Sequence, residues 1–63
     1  MDHKELRRGN KVMFFVEVGN PPETMVGKII GNPDPDFPYM FEVLGNDGSM
    51  HDVNSDRIIM KLP

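Results

Sequence analysis

The chain has 63 residues and a mass of 7.2 kDa, with no cysteine, six Gly, six Pro and 27% charged residues. That length makes one domain, residues 1–63, which buries only about 60% of its unfolded surface. A disulfide framework and a thiolate metal site are excluded, and two His separated by most of the chain, His3 and His51, make a poor start for a zinc site. Seven Lys+Arg against ten Asp+Glu give a net charge of −3, which argues against non-specific nucleic-acid or anionic-membrane binding as a primary role.

The opening MDHKELRR is polar and lacks the apolar stretch of a secretory signal. The apolar run 12–16 is far shorter than the roughly 20 residues that span a bilayer. The expectation is a cytoplasmic protein with no membrane association.

Proline and glycine cut the chain into short pieces. Residues 1–8 are expected as a flexible N-terminal segment. Asp2 as N-cap and Glu5 three residues on would allow one helical turn there, stopped by Gly9-Asn10. Lys11 to Val18 is dense in Val and Phe and predicts a first strand. Gly19-Asn20-Pro21-Pro22 ends it, because proline fixes φ and removes a ladder donor. Thr24 to Ile30 predicts a second strand, interrupted by Gly27, where a bulge could reverse the side-chain phase. Asn32 to Pro38, with three prolines in seven residues, predicts a loop. Tyr39 to Leu44 and Ser49 to Val53 predict a hairpin around Gly45-Asn46-Asp47-Gly48. Asn54 to Arg57 suits a single 3₁₀ turn before a last strand, Ile58 to Leu62. Five strands at about ten-residue spacing imply an all-β fold, a small five-stranded barrel.

Strand alternation assigns the faces. Val12, Phe14, Val16 and Val18 share one phase with Tyr39, Phe41 and Val43, and this phase is assigned to the core. Met25 or Val26, Ile29, Val53, Ile58 and Met60 are expected to join it.

The pattern resembles the SH3-like barrel superfamily in the broad sense that includes Tudor-like and KOW-type domains. The resemblance is carried by Gly9 and Val12, Gly27-Lys28-Ile29, Tyr39 to Val43, the Gly45–Gly48 turn, and Val53 followed five residues later by Ile58. It spans roughly residues 9–62 and implies a bent second strand at Gly27 and a one-turn 3₁₀ connection before the last strand. The subfamily signatures are incomplete. The connection at Gly19 to Glu23 is wider than in a KOW motif, and there is no Trp to grip polyproline. Only Phe37 and Tyr39, with Asp34 or Asp36, could approximate an aromatic cage. The resemblance therefore implies a fold and no particular function.

Catalysis is hard to build from these residues, and the expectation is that the chain is not an enzyme. His51 and Asp52 are neighbours on one strand and point to opposite faces, so they cannot form a dyad. His51 is expected as a half-buried strand residue with a backbone partner. No Ser stands in a nucleophile-elbow context and no Gly-rich phosphate loop precedes a helix. Asn32-Pro33-Asp34-Pro35-Asp36 spaces carboxylates two apart but lacks the glycine and distal Glu of a calcium loop, so no metal and no cofactor is expected. Asp47 reads as turn chemistry.

The phase opposite the core is more informative. Met13, Phe15, Met40 and Leu44, with Met50, fall on it, and Phe37 and Tyr39 stand beside it in the proline-rich segment. Either these residues form a second small core, or they are a docking surface for a protein partner or a second copy of the chain. The alternative is a nucleic-acid-binding barrel. It would use Lys4, Arg7, Arg8 and Lys11 to track phosphates and Phe15, Phe37 and Tyr39 to stack bases, although Asp2, Glu5 and Glu17 dilute that positive charge. An acidic surface that mimics DNA is disfavoured by a charge of only −3.

Overall fold

A computed structural model describes residues 6–16, 23–32 and 35–63. The helical turn at Asp2, the candidate Lys4, the residues Glu17 and Val18, the Pro21-Pro22 connection and Asp34 lie outside the described residues.

Five antiparallel strands form one sheet: β1 (Lys11–Phe15), β2 (Thr24–Gly31), β3 (Met40–Gly45), β4 (Met50–Asn54) and β5 (Ile58–Leu62). A 3₁₀ turn, Ser55–Arg57, separates β4 from β5. The strand order is β4-β3-β2-β1-β5, so β5 returns beside β1 and the sheet stays open, with β4 and β5 as its edges. The all-β architecture and the five strands agree with the sequence reading.

The core is the phase that alternation selects. Val12, Phe14, Ile29, Phe41, Val43, Val53 and Ile58 are buried, with Val16 and Met25 packed against them. Leu6 joins them from the N-terminal segment, which the sequence reading left out of the core. Two expected core residues lie elsewhere. Tyr39 is 52% exposed because β3 begins one residue later, and Met60 is 44% exposed because β5 shifts register against β1 between Met13 and Phe14. That irregularity moves Met60 into register with Met13, on the outer face.

Gly27 carries no bulge. It pairs with Val12 on one side and Gly45 on the other in unbroken register, and the irregularity of β2 falls between Ile29 and Gly31. Glycine is required there by close approach. A Cβ on Gly27 would stand 2.7 Å from the Leu44 carbonyl oxygen and from Val43 Cγ1, and 3.1 Å from the Phe14 ring. Gly45 is confined by side-chain atoms alone, Met25 Sδ, Asp47 Oδ1 and His51 Nε2.

The turns follow their residues. Arg7 to Asn10 closes through the Asn10 N–H donating to the Arg7 carbonyl (3.0 Å), and Gly9 supplies a φ of +94°. The Gly9 N–H then donates to the Ile29 carbonyl, and Ile29 N–H to Asn10, which lays the segment before β1 along β2 and seats Leu6 over the core. In the β3–β4 hairpin only Gly48 has positive φ (+85°), so the loop is a type I turn closed by a left-handed glycine rather than a mirror-image turn.

Candidate functional site

Inter-strand register decides which outward side chains meet. One cross-strand row on the outer face runs Leu62, Lys11, Lys28, Leu44, Met50 from β5 to β4. A second joins Met60, Met13 and Val26. Phe15 stands opposite Thr24, Met40 opposite Asn54, and Glu42 opposite Asp52.

The candidate docking residues therefore do not form one cluster. Leu44 (42% exposed) is flanked by Lys28 and Met50 (46%), while Met13 and Met40 are half-buried. Phe15 (39% exposed) sits at the far end of the β1–β2 ladder. Phe37 (60% exposed) and Tyr39 precede β3 and belong to no row. Val26, Met50 and Met60 extend the apolar surface. Met60 was missed because a strand irregularity cannot be read from alternation.

Of the candidate cations, Arg7, Arg8 and Lys11 are exposed. Arg7 is tied into its turn by its backbone, its N–H donating to Asn10 Oδ1 at 2.7 Å. Lys11 faces Lys28 directly across the β1–β2 ladder. Arg8 lines a hollow of about 540 Å³ with Gly9, Lys28, Ile29, Ile30 and Leu44. Lys28 was not among the sequence candidates, because only the register brings it beside Lys11 and Arg8.

Charge on this face is thus segregated. Arg8, Lys11 and Lys28 lie on the β1–β2 half, and Glu42 and Asp52 on the β3–β4 half. Like charges directly opposite each other on a sheet are destabilising, and this face carries one such pair of each sign. His51 Nε2 and Asp47 Oδ1 stand 3.3 Å apart, an ion pair when the imidazole is protonated.

That pair is turn architecture. Asp47 Oδ1 accepts from the Ser49 N–H (3.0 Å) and lies against His51 Nε2. The Ser49 N–H chiefly holds the Asp47 carboxyl below its usual range; desolvation is the next influence and opposes it, and the contacts with His51 add further lowering. His51 is half-buried with its ring 5.5 Å from that of Phe14, and its partner is a side chain rather than the backbone group expected. Arg57 is the other organised charge. Its Nε and Nη2 donate to the Phe15 carbonyl (3.1 and 2.9 Å), and Nη1 to that of Asp52 (3.4 Å). One guanidinium so bridges β1 and β4, strands that share no ladder.

Among the described residues no group of three or more His, Asp or Glu gathers as metal ligands, and no helix is long and apolar enough to cross a membrane. Compared with protein-family models, curated proteins and solved structures, the chain finds no match.

Proposed function

We propose that the chain is a non-catalytic interaction module that docks a protein surface through the outer face of its sheet. The observation that carries this reading is Leu44 and Met50, adjacent in one row, each more than two-fifths exposed and bordered by charge. Exposed apolar residues ringed by polar ones are the usual composition of a contact surface. The organised polar groups support it too, since Asp47, His51 and Arg57 are engaged in holding a turn and two strands. An SH3-like barrel is the finer description we infer for the fold. The strand order, with β5 beside β1, and the 3₁₀ turn before β5 support it, as does Arg57 tying β1 to β4. We place the module in the cytoplasm.

The test compares the wild-type chain with Leu44→Ser/Met50→Ser, each immobilised and exposed to a nuclease-treated extract of cells that carry the protein. A retained protein, identified by mass, should bind the wild type as a purified pair and bind the variant at least tenfold more weakly. Equal binding by both refutes the face. Retention from an untreated extract that is absent from the nuclease-treated one supports the alternative, a nucleic-acid barrel using Arg7, Arg8 and Lys11.

A further inference from the structure

We infer that the hollow beside Arg8 takes an extended acidic segment of a partner protein, with a carboxylate between Arg8 and Lys28 and an apolar side chain two residues along on Ile30 and Leu44. The inference rests on the docking reading above, with which it shares Leu44, and names the chemistry of the partner. The Arg57 guanidinium holds the Phe15 carbonyl of β1 and the Asp52 carbonyl of β4 together, so the sheet curls and its outer wall is convex. A convex wall touches a flat partner over little area. It grips a narrow segment where it is hollowed, and beside Arg8 it is hollowed.

The backbone builds the hollow. The Gly9 N–H donates to the Ile29 carbonyl (2.6 Å) and the Ile29 N–H to the Asn10 carbonyl (2.8 Å), so the Arg7–Asn10 turn lies along β2 and Arg8 stands at its edge. Arg8, Gly9, Lys28 and Ile29 with the apolar Ile30 and Leu44 line a volume of about 540 Å³. A second hollow of about 490 Å³ shares Arg8, Ile29 and Ile30 with the first and reaches Gly31, Asn32 and the core residues Leu6 and Phe41. From Lys28 to Asn32 the chain runs about 13 Å at roughly 3.3 Å per residue, the length of about four residues of an extended peptide.

Charge selects the occupant. Among the described residues that line the two hollows, the charged ones are Arg8 and Lys28, both cations, in a chain whose net charge is −3. Neither has an ion-pair partner among the described residues, whereas the guanidinium of Arg57 is engaged by two carbonyls. An arginine fork beside a lysine suits a carboxylate. Lys11, opposite Lys28 on the β1–β2 ladder, adds to the positive field. Glu42, opposite Gly31 and beside Asp52, repels an acid from the other side, which directs the carboxylate to Arg8 and leaves the apolar side chain on Ile30 and Leu44. In an extended segment, side chains two residues apart share a face about 7 Å from each other, which is also the spacing of Lys28 and Ile30 along β2. A phosphate backbone would leave Ile30 (37% exposed) and Leu44 unmatched. No exposed aromatic ring lines either hollow to stack a base, since Phe41 is buried and Phe15, Phe37 and Tyr39 lie elsewhere.

Fluorescence anisotropy with a labelled, end-capped peptide, Ser-Glu-Ser-Leu-Ser-Glu-Ser-Leu, tests it. The wild-type chain should bind with a dissociation constant of about 10–300 µM, weakening as salt shortens the Debye length. Gln for each Glu of the peptide, or Ser for each Leu, should weaken binding by about tenfold. Arg8→Glu and Lys28→Glu should each do the same, whereas Lys61→Glu makes an equal change of charge on β5, outside the hollow, and should alter binding by less than about twofold. Circular dichroism checks that each variant folds. If one does not, amide NMR of the wild type with the peptide should show shifts concentrated on Arg8, Gly9, Lys28, Ile30 and Leu44. No binding at about 1 mM, equal binding of the Gln peptide, Lys61→Glu as harmful as Arg8→Glu, or shifts elsewhere each overturns the inference. An oligothymidylate of equal length that binds the same residues more tightly overturns it too, and supports the nucleic-acid alternative. If the peptide fails while Leu44→Ser/Met50→Ser still abolishes capture of another protein, only the acidic segment falls. If that capture fails as well, the docking reading falls with it.

Discussion

Gly27→Ala places one methyl group where three strands converge. The new Cβ would lie 2.7 Å from the Leu44 carbonyl oxygen and 2.7 Å from Val43 Cγ1, with the Phe14 ring at 3.1 Å. The Leu44 oxygen is backbone and cannot rotate away, and Val43 and Phe14 are fully buried. Relief requires β2 and β3 to separate by several tenths of an ångström. Overpacking a core by one methylene costs typically ~1–3 kcal/mol, whereas replacing a strand glycine with alanine returns roughly 0.5–1 kcal/mol of backbone entropy. The net expectation is a loss of about 1–2 kcal/mol. A chain of 63 residues has only about 3–9 kcal/mol to lose, so this is a large share of its stability. It corresponds to a fall in Tm of roughly 4–16 °C for a domain this small. Gly31→Ala is the internal control, because a Cβ there meets nothing within 4 Å and the residue does not have positive φ. It should leave Tm unchanged or raise it by a few degrees. Thermal and urea melts of both variants decide the matter. A Gly27→Ala protein as stable as Gly31→Ala would refute the close approach of β2, β3 and Phe14.

Three further substitutions probe other joints. Arg57→Lys keeps the charge but loses the paired donation to the Phe15 carbonyl, and should lower stability by about 1 kcal/mol in urea melts, with Arg57→Ala lower still. Gly48→Ala must adopt a φ of +85° and should cost about 1–2 kcal/mol by thermal melting, more than Ser49→Ala beside it. The Asp47 carboxyl is held below its ordinary 3.8, so its contribution is present in full above that pH and is lost as pH falls through the depressed value. The stability gap between wild type and Asp47→Asn, measured by melts in a series of buffers, should therefore be constant near neutrality and close below about pH 3.8.

The strands were legible because alternation and punctuation agreed. Val12, Phe14, Phe41 and Val43 are apolar at every second position, and Pro or Gly stands between all the segments but the last two. The Asn54–Arg57 turn was legible from its short polar residues, and Asn54 does cap it, its side chain accepting from the Asp56 N–H. Leu6 was not legible, since a single apolar residue in a charged segment has no periodicity. It reaches the core only through the Gly9–Ile29 and Asn10–Ile29 bonds. Tyr39 and Met60 were misplaced for a related reason. A one-residue change in where a strand starts, or one irregularity in its pairing, moves a side chain to another face.

The outer face illustrates the same limit and what lies past it. Alternation alone gave Met13, Phe15, Met40 and Leu44 as a set, but a set of outward residues is not a surface until the strands are in register. Register puts Leu44 next to Met50 and Lys28, separates it from Phe15, and sets Lys11 against Lys28 and Glu42 against Asp52. Each opposed like-charge pair raises the free energy of the isolated chain, by an amount comparable to the 0.2–1 kcal/mol that a favourable cross-strand pair contributes, roughly. Exchanging Lys28 with Glu42 would relieve both pairs at once without changing composition, strand length or core. That variant should be more stable than the wild type in urea melts. A variant no more stable than the wild type would show that neither opposed pair raises the free energy of the chain, and that the segregated charge of the outer wall is no more than solvated.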